Sequence, residues 1–259
     1  MPETTMKWDF TDRVVFITGA ASGIGREIAL AFSAAGARVA LADLNLDQAR
    51  QVAAAIEQQG GAAFALALDV RDGEQIRQAI QHTVGRWGRL DAAVNCAGVE
   101  GSRFIPTADY EQAVWDQVIA INLSGVWLSM KYEIQAMLPQ QRGVIVNLAS
   151  LAGLIGGKIG AGYYASKHGV VGLTRAAAVE YASLGIRVNA VCPSVIPTPM
   201  VERLSAADPE FAAWVAAQTP LGRLGTTAEV AQTVLYLCSD AASFITGHAL
   251  PVDGGRYGR

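Results

Sequence analysis

Arg13–Gly25, RVVFITGAASGIG, is the stretch on which the fold turns. Arg13 to Thr18 is a short apolar, β-branched run that reads as a strand ending at Gly19, and Gly23 to Gly36 reads as an amphipathic helix. A strand that feeds a glycine turn and then a helix start is a way to hold a phosphate. The amides and dipole of the helix N-terminus favour an anion, and glycines let the backbone approach closely. The spacing here is Gly19-x-x-x-Gly23-x-Gly25 rather than the commoner G-x-G-x-x-G, so the turn alone also fits a connection with no ligand.

Working outward, Ala37 to Asp43 (ARVALAD) reads as a second buried strand, with its acid 18 residues after Gly25. Asp43 at that distance is placed to accept hydrogen bonds from an adenosine ribose and would repel a 2′-phosphate. Neither Ser22 nor Leu44 supplies the cation that a 2′-phosphate would want, which favours NAD over NADP. The competing reading makes Asp43 a cap for the helix Leu46 to Gln59, for which Asn45 is the better candidate. The alternation continues with Ala62–Leu68 (strand), Gly73–Gly85 (helix), Ala92–Val94 (strand), Gly143–Leu148 (strand), Tyr163–Leu184 (helix), Ile186–Cys192 (strand), Thr227–Cys238 (helix) and Ala249–Val252 (strand). Such a chain predicts a doubly wound, Rossmann-like parallel sheet of about seven strands with helices on both faces, and ligands at the C-terminal strand ends. Asp109 to Leu138 reads as one very long helix stopped by Pro139, but Asn122, Ser124 and Gly125 interrupt its apolar middle. That polar island marks a kink or part of a site.

The 259 residues, 51% of them hydrophobic, show no composition break, linker or repeat, so residues 1–259 are expected to form a single catalytic domain. A formal net charge of −3 with scattered signs makes no basic stripe and gives nucleic-acid binding little support. No apolar run reaches bilayer-spanning length, and the N-terminal MPETTMKWDF lacks the pattern of a secretory signal. Three widely spaced cysteines, Cys96, Cys192 and Cys238, suit a reducing, cytoplasmic setting better than a disulfide framework. His82, His168 and His248 fall in no metal-ligand spacing, so no metal is expected.

Chemistry concentrates between Ser150 and His168. Tyr163 and Lys167 are one turn apart on the predicted helix, the relation that lets a cation sit beside a phenol. Spacing alone leaves the phenol ambiguous, because Tyr164 is i,i+3 from Lys167 and i,i+4 from His168. Ser150, directly after a strand, reads equally as a turn or capping residue.

Taken in order, Thr18-Gly19-Ala20-Ala21-Ser22-Gly23-Ile24-Gly25, Asp69, Asn95-Cys96-Ala97-Gly98, Asn122, Ser150, Tyr163-x-x-x-Lys167 and Pro193-Ser194-Val195-Ile196-Pro197-Thr198 resemble the short-chain dehydrogenase/reductase family from Val14 to Gly255. The chain departs from the family pattern at Cys96, commonly asparagine, and at Ser194, commonly glycine. The resemblance implies hydride transfer between NAD(H) and a secondary alcohol or ketone, and it selects Tyr163 as general base. It implies that Lys167 lowers the phenol pKa and binds ribose, that Ser150 positions the substrate oxygen, and that Asn122 holds a water-linked relay to the lysine. Gly19, Ser22, Gly23, Ile24, Gly25, Asp43, Leu44, Asp69, Val70, Asn95, Ala97, Gly98, Tyr163, Lys167, Pro193, Ile196 and Thr198 become the implied cofactor contacts. Bringing a phenol from about 10 to about 7 takes roughly 4 kcal/mol, about what one cation ~4 Å away supplies at an effective dielectric near 20. The resemblance also implies a homotetramer, or a homodimer, built on the long helices.

Pro199 to Pro220, at about residues 199–220, reads as a substrate lid made apolar by Met200, Leu204, Phe211 and Trp214. With Val99–Ile105 and Leu151–Ala161 it predicts a mainly uncharged, cyclic or aromatic substrate; alternatively Arg103 and Lys158 recognise an acid group, or are solvated. Two other activities use such a sequence: a lyase, epimerase or dehalogenase without net redox, expected to disrupt Tyr163, Lys167 or the glycine turn, and a non-catalytic NAD-sensing protein, expected to bind without turnover.

Overall fold

Along β1 (Val14–Thr18), side chains alternate between two hydrophobic layers: Val14 and Phe16 enter one, Val15 and Ile17 the other. A strand apolar on both faces belongs at the centre of a covered parallel sheet, and β1 lies there. The computed structural model describes residues 8–199, 201 and 211–258. Its sheet has seven strands: β1, β2 (Arg38–Asp43), β3 (Ala62–Ala67), β4 (Ala92–Asn95), β5 (Gly143–Leu148), β6 (Ile186–Pro193) and β7 (Ala249–Val252). They are parallel throughout in the order β3-β2-β1-β4-β5-β6-β7. The order reverses between β1 and β4, which opens a crevice at their C-terminal ends.

One layer holds Ile28 and Phe32 of α1 (Gly23–Ala34), Val52 and Ile56 of α2 (Leu46–Gln58) and, later in the chain, Val230 and Val234 of the helix Thr227–Cys238. The opposite layer holds Ile76 and Ile80 of α3 (Gly73–Trp87), and beyond it Val126, Met130 and Met137 of the helix Gly125–Met137 and Val170 and Ala177 of the helix Ala161–Tyr181. The doubly wound reading therefore holds. As expected, Asn45 rather than Asp43 caps α2, its side chain accepting from Gln48 N at 3.1 Å.

The single long helix expected from Asp109 to Leu138 is instead broken. A tight turn at Thr107–Asp109 precedes α4 (Gln112–Ile119), a π-helical turn follows at Ala120–Ser124, and α5 (Gly125–Met137) resumes. The cause is Asn122. Its amide pairs with the backbone of Val99, accepting from N and donating to O at 2.8 Å each, and a widened turn lets it leave the helix face for that partner. The helix expected from Tyr163 to Leu184 is α6 (Ala161–Tyr181), closed by a 3₁₀ turn at Ala182–Leu184 before Gly185 at φ +78°. Within the expected lid, Met200 and Leu204 lie outside the described residues, and its C-terminal part is α7 (Phe211–Ala217). Helix α8 (Thr227–Cys238) starts with a capping box between Thr226 and Glu229.

Candidate active site

Two adjoining clefts open at the C-terminal strand ends. The first, about 450 Å³, is lined by Gly19, Ser22, Gly23, Ile24 and Gly25 of the glycine turn, Asp43 and Leu44 after β2, Asp69 and Val70 after β3, Ala97 and Gly98 after β4, and Thr198. Its geometry depends on missing Cβ atoms. Gly19 has φ +68°, and a Cβ there would lie 2.8 Å from Ala97 N and Cα; one on Gly25 would lie 2.1 Å from the Gly19 carbonyl oxygen. The Thr18 hydroxyl accepts from Cys96 N and Ala97 N at 3.2 and 3.3 Å, tying the β4 loop to the turn.

Helix α1 points its N-terminus into this cleft with no side-chain cap on Ser22 and no acid in its first turn. Its first amides are therefore available to an anion such as a pyrophosphate. Asp43 accepts from Ala21 N and Asn45 N at 2.9 Å each, which fixes its carboxylate at the cleft wall with acceptor capacity to spare. Arg71 also reaches this cleft, a cation that inspection of the residues beside Asp43 does not find. Its guanidinium is held on Asp69, Nε to Oδ1 at 2.9 Å and Nη2 to Oδ2 at 2.5 Å, and that pair holds the Asp69 carboxyl below its ordinary range. These residues fit a dinucleotide.

The second cleft, about 170 Å³, shares Ile24 and Thr198 with the first. Ser150, Tyr163, Tyr164, Pro193, Ile196 and Arg103 line it. Ser150 Oγ accepts from Ala152 N at 3.1 Å, capping the 3₁₀ turn Leu151–Gly153, and its side chain stands beside the Tyr163 phenol, close enough to lower the phenol pKa. Because Oγ is the acceptor toward Ala152, its own hydrogen is free to point at an oxygen in the cleft. The neighbouring phenol, Tyr164, is bonded instead to the Ile159 backbone, and the exposed His168 ring is engaged with the Tyr164 carbonyl at 3.0 Å.

Lys167 and Asn122 line neither cleft. Lys167 is 6% exposed; its Nζ donates to the Leu148 carbonyl at 2.8 Å and lies 5.6 Å from the Tyr163 ring centre. Burial pushes its ammonium down to about 8. Burial also pushes the Tyr163 phenol above its ordinary value, outweighing the lowering by the Ser150 hydrogen bond and by Arg103. Asn122 and Lys167 both flank Gly98, where a Cβ would be 3.2 Å from Asn122 Oδ1 and 3.8 Å from Lys167 Nζ. Asn95 faces away from the cleft into the core, donating to Asn147 Oδ1 and Glu133 Oε2 at 3.0 Å each. Cys96 lines the first cleft, and burial pushes its thiol up to about 12, which disfavours the thiolate a nucleophile needs.

Sequence reasoning missed Ser166, whose hydroxyl donates to the Tyr163 carbonyl at 2.8 Å and accepts from Asn122 at 3.3 Å. It also missed the buried set Glu133, Asn147 and Thr174; a glutamate in the apolar run of α5 and an asparagine inside an apolar strand were the available signals. Lys158, offered with Arg103 as an acid-recognising residue, is exposed and off the cleft wall. Among the described residues no group of three or more His, Cys, Asp or Glu is placed to hold a metal.

A family model described as enoyl-(acyl carrier protein) reductase matches residues 19–256. Cyclohexanol dehydrogenase of Acinetobacter sp. (strain SE19) is 42% identical over 252 residues, covering 97% of this chain and 98% of that protein. Levodione reductase of Leifsonia aquatica is 41% identical over 254 residues, 95% of each chain. A crystal structure of levodione reductase superposes with a TM-score of 0.92 at 40% identity, over 96% of this chain and 99% of that one. Similar structures carry either nicotinamide cofactor. NAD⁺-bound xylitol dehydrogenase has a TM-score of 0.91 and ElxO with NADP bound 0.88, each 32% identical over 95% of this chain and 99% of the other. The sheet order, the glycine turn and a match across nearly the whole chain lead to one statement: this chain belongs to the short-chain dehydrogenase/reductase family.

Proposed function

We propose that this chain is an oxidoreductase that transfers a hydride between NAD(H) and a secondary alcohol or ketone, with Tyr163 as general base and acid. The observation that carries it is the placement of Ser150 and Tyr163 together on the wall of a smaller, apolar-walled cleft that adjoins a cleft suited to a dinucleotide. A dinucleotide held by the glycine turn, the first amides of α1 and Asp43 would supply the hydride acceptor and, in its oxidised form, a positive charge. In the oxidative direction Tyr163 Oη takes the hydroxyl proton of the alcohol, while the Ser150 hydrogen is directed at the same oxygen and holds it as charge develops.

Tyr163 lies in surroundings that raise its pKa, so the phenolate needs every cation near it. Arg103 supplies one, and Lys167, its Nζ fixed by the Leu148 carbonyl 5.6 Å from the ring centre, stands close enough to supply another. A Lys167 poised at about 8 is also able to pass a proton, and Asn122 and Gly98 are its neighbours on the side of the cofactor cleft.

NAD is the preferred partner in this reading because Asp43 presents its charge where a 2′-phosphate would lie and Arg71 is engaged by Asp69. Residues 199–220 act as the substrate lid; Val201 on the wall of the smaller cleft supports that role. The protein works in a reducing, cytoplasmic setting, which its free cysteines suit, and self-associates as a homotetramer or homodimer, for which exposed Trp127 on α5 and Val179 on α6 offer apolar contact. Formation of NADH from a panel of secondary alcohols, diols, sugars and cyclic alcohols, with NAD and NADP in parallel, tests the proposal. No turnover of any alcohol with either cofactor would refute it.

A further inference from the structure

We propose that Arg103 recognises a carboxylate on the substrate, so that the cleft beside Tyr163 takes a compact cyclic hydroxy acid and the corresponding keto acid. This rests on the hydride-transfer reading above and narrows it.

Arg103 stands on the loop after β4, between Gly101 at φ +70° and Phe104 at φ +56°. A left-handed phenylalanine is an uncommon backbone state, and the Phe104 ring is 62% exposed, so burial of that ring does not explain the turn. What the turn does is aim Arg103 inward. The loop is fixed on one side by Phe104 N donating to the Lys158 carbonyl at 3.2 Å; on the other, a Cβ on Gly101 would lie 2.7 Å from Val118 and from the Tyr110 hydroxyl.

Arg103 lines the same cleft as Ser150 and Tyr163, and its Nε is buried with no hydrogen-bond partner. Other arginines are held by carboxylates: Arg71 by Asp69, Arg77 by Glu74, Arg89 by Asp91 and Arg223 by Glu229. Burial draws the Arg103 pKa below its ordinary value, and the nearby charge of Glu100 offsets only part of that effect. Glu100 is close enough for its charge to act on both Arg103 and Tyr163, yet it does not line the cleft. Among the described residues no Asp or Glu does, and Arg256, also on the wall, is engaged in an interaction of its own.

A half-buried, planar guanidinium on the cleft wall matches the two oxygens of a carboxylate and fixes its orientation. Leu151, Ile155, Ile159 and Ile196 form apolar walls for the body of the molecule. A volume of about 170 Å³ limits that body to a compact one. A dianionic phosphate would leave charge facing those walls, which favours the monoanion.

The test compares kcat/KM for 3- and 4-hydroxycyclohexanecarboxylate with that for cyclohexanol in the wild type, Arg103→Met and Arg103→Lys. The wild type is expected to prefer an acid. Arg103→Met should lower kcat/KM for that acid by roughly 30- to 1000-fold, the range for breaking one buried charge pair. Removing the charge beside Tyr163 slows cyclohexanol as well, so the proposal is read from the acid-to-cyclohexanol ratio of kcat/KM, which should fall by most of that factor in Arg103→Met and be partly restored in Arg103→Lys. A wild type that prefers cyclohexanol, or an equal loss on both substrates in Arg103→Met, overturns the assignment while leaving hydride transfer intact. Calorimetric titration with cyclohexanecarboxylate, which has no hydroxyl to oxidise, reads Arg103 without turnover, in the presence and absence of NADH. Binding by the wild type and its loss in Arg103→Met support the proposal even if no alcohol is oxidised. Equal binding by both proteins, or tighter binding of cyclohexyl phosphate than of the carboxylate, refutes it.

Discussion

Glu133 lies on α5 with no exposed surface, and replacing it by glutamine tests how the polar interior next to the site is held. Its Oε2 accepts from Asn95 Nδ2 at 3.0 Å, whereas Oε1 has no partner; Asn95 Oδ1 and the Ser129 hydroxyl, one turn earlier on the helix, are also unpartnered. Burial raises the carboxyl from 4.5 to about 8, so the folded protein keeps a proton that the unfolded chain releases above about pH 4.5. Stability from this group is therefore complete below about 4.5 and is lost as pH rises to about 8. At about 1.4 kcal/mol per pH unit, roughly 4 kcal/mol should be lost between pH 5 and pH 8. Glu133→Gln keeps the shape, adds donors and cannot ionise. Its stability minus that of the wild type, from urea unfolding at fixed protomer concentration, should become more favourable by several kcal/mol over that interval. Above pH 8 Lys167 works in the opposite sense, since its depressed pKa makes stability recover toward pH 10.5; taking the difference between the two proteins removes that contribution. A difference constant within about 0.5 kcal/mol from pH 5 to pH 8 would refute a protonated Glu133.

Asp43→Ala should improve NADP use relative to NAD by tenfold or more, on the order of one lost charge repulsion, as read from the ratio of kcat/KM values; an unchanged ratio contradicts the ribose assignment. Gly25→Ala places a Cβ 2.1 Å from the backbone oxygen of Gly19, which has no flexible end to move. It should weaken NADH binding at least tenfold in a fluorescence titration, and unaltered affinity would show that the turn is not the phosphate seat. Asn122→Ala strips both partners from Val99 N and O, at about 1–3 kcal/mol for each buried group left unpaired. A clear fall in Tm together with reduced kcat is expected, whereas a neutral effect on both would remove Asn122 from the framework of the site.

Much of this was readable from residue order, because apolar runs and glycine turns state the sheet and its ligand edge directly. Gly143–Leu148, Thr227–Cys238 and Ala249–Val252 match at both ends. Where the reading failed, a distant partner decided. Asn122 breaks its helix because Val99, far away in sequence, offers two backbone groups; the polar island at Asn122, Ser124 and Gly125 marked the place of the kink, and only the fold supplies the partner. Arg71 belongs to the cofactor cleft only because β2 and β3 are neighbours. Arg103 and Lys158 were equivalent as charges in loops; the fold turns one toward Tyr163 and leaves the other in solvent. The phenol pKa was expected to follow from one cation, yet the burial that brings Lys167 close also raises Tyr163, and only the packed structure weighs the two.

Tyr163→Phe, assayed for NADH formation from an alcohol that the wild type oxidises and for NADH affinity by titration, addresses the central claim most directly. The substitution removes the phenolic oxygen and leaves the ring in place above Lys167. The account predicts a loss of kcat of roughly 10²- to 10⁴-fold, the range for a general base, with cofactor affinity changed only a few-fold. A variant that keeps a substantial fraction of the wild-type rate would show that the proton leaves the alcohol by another route.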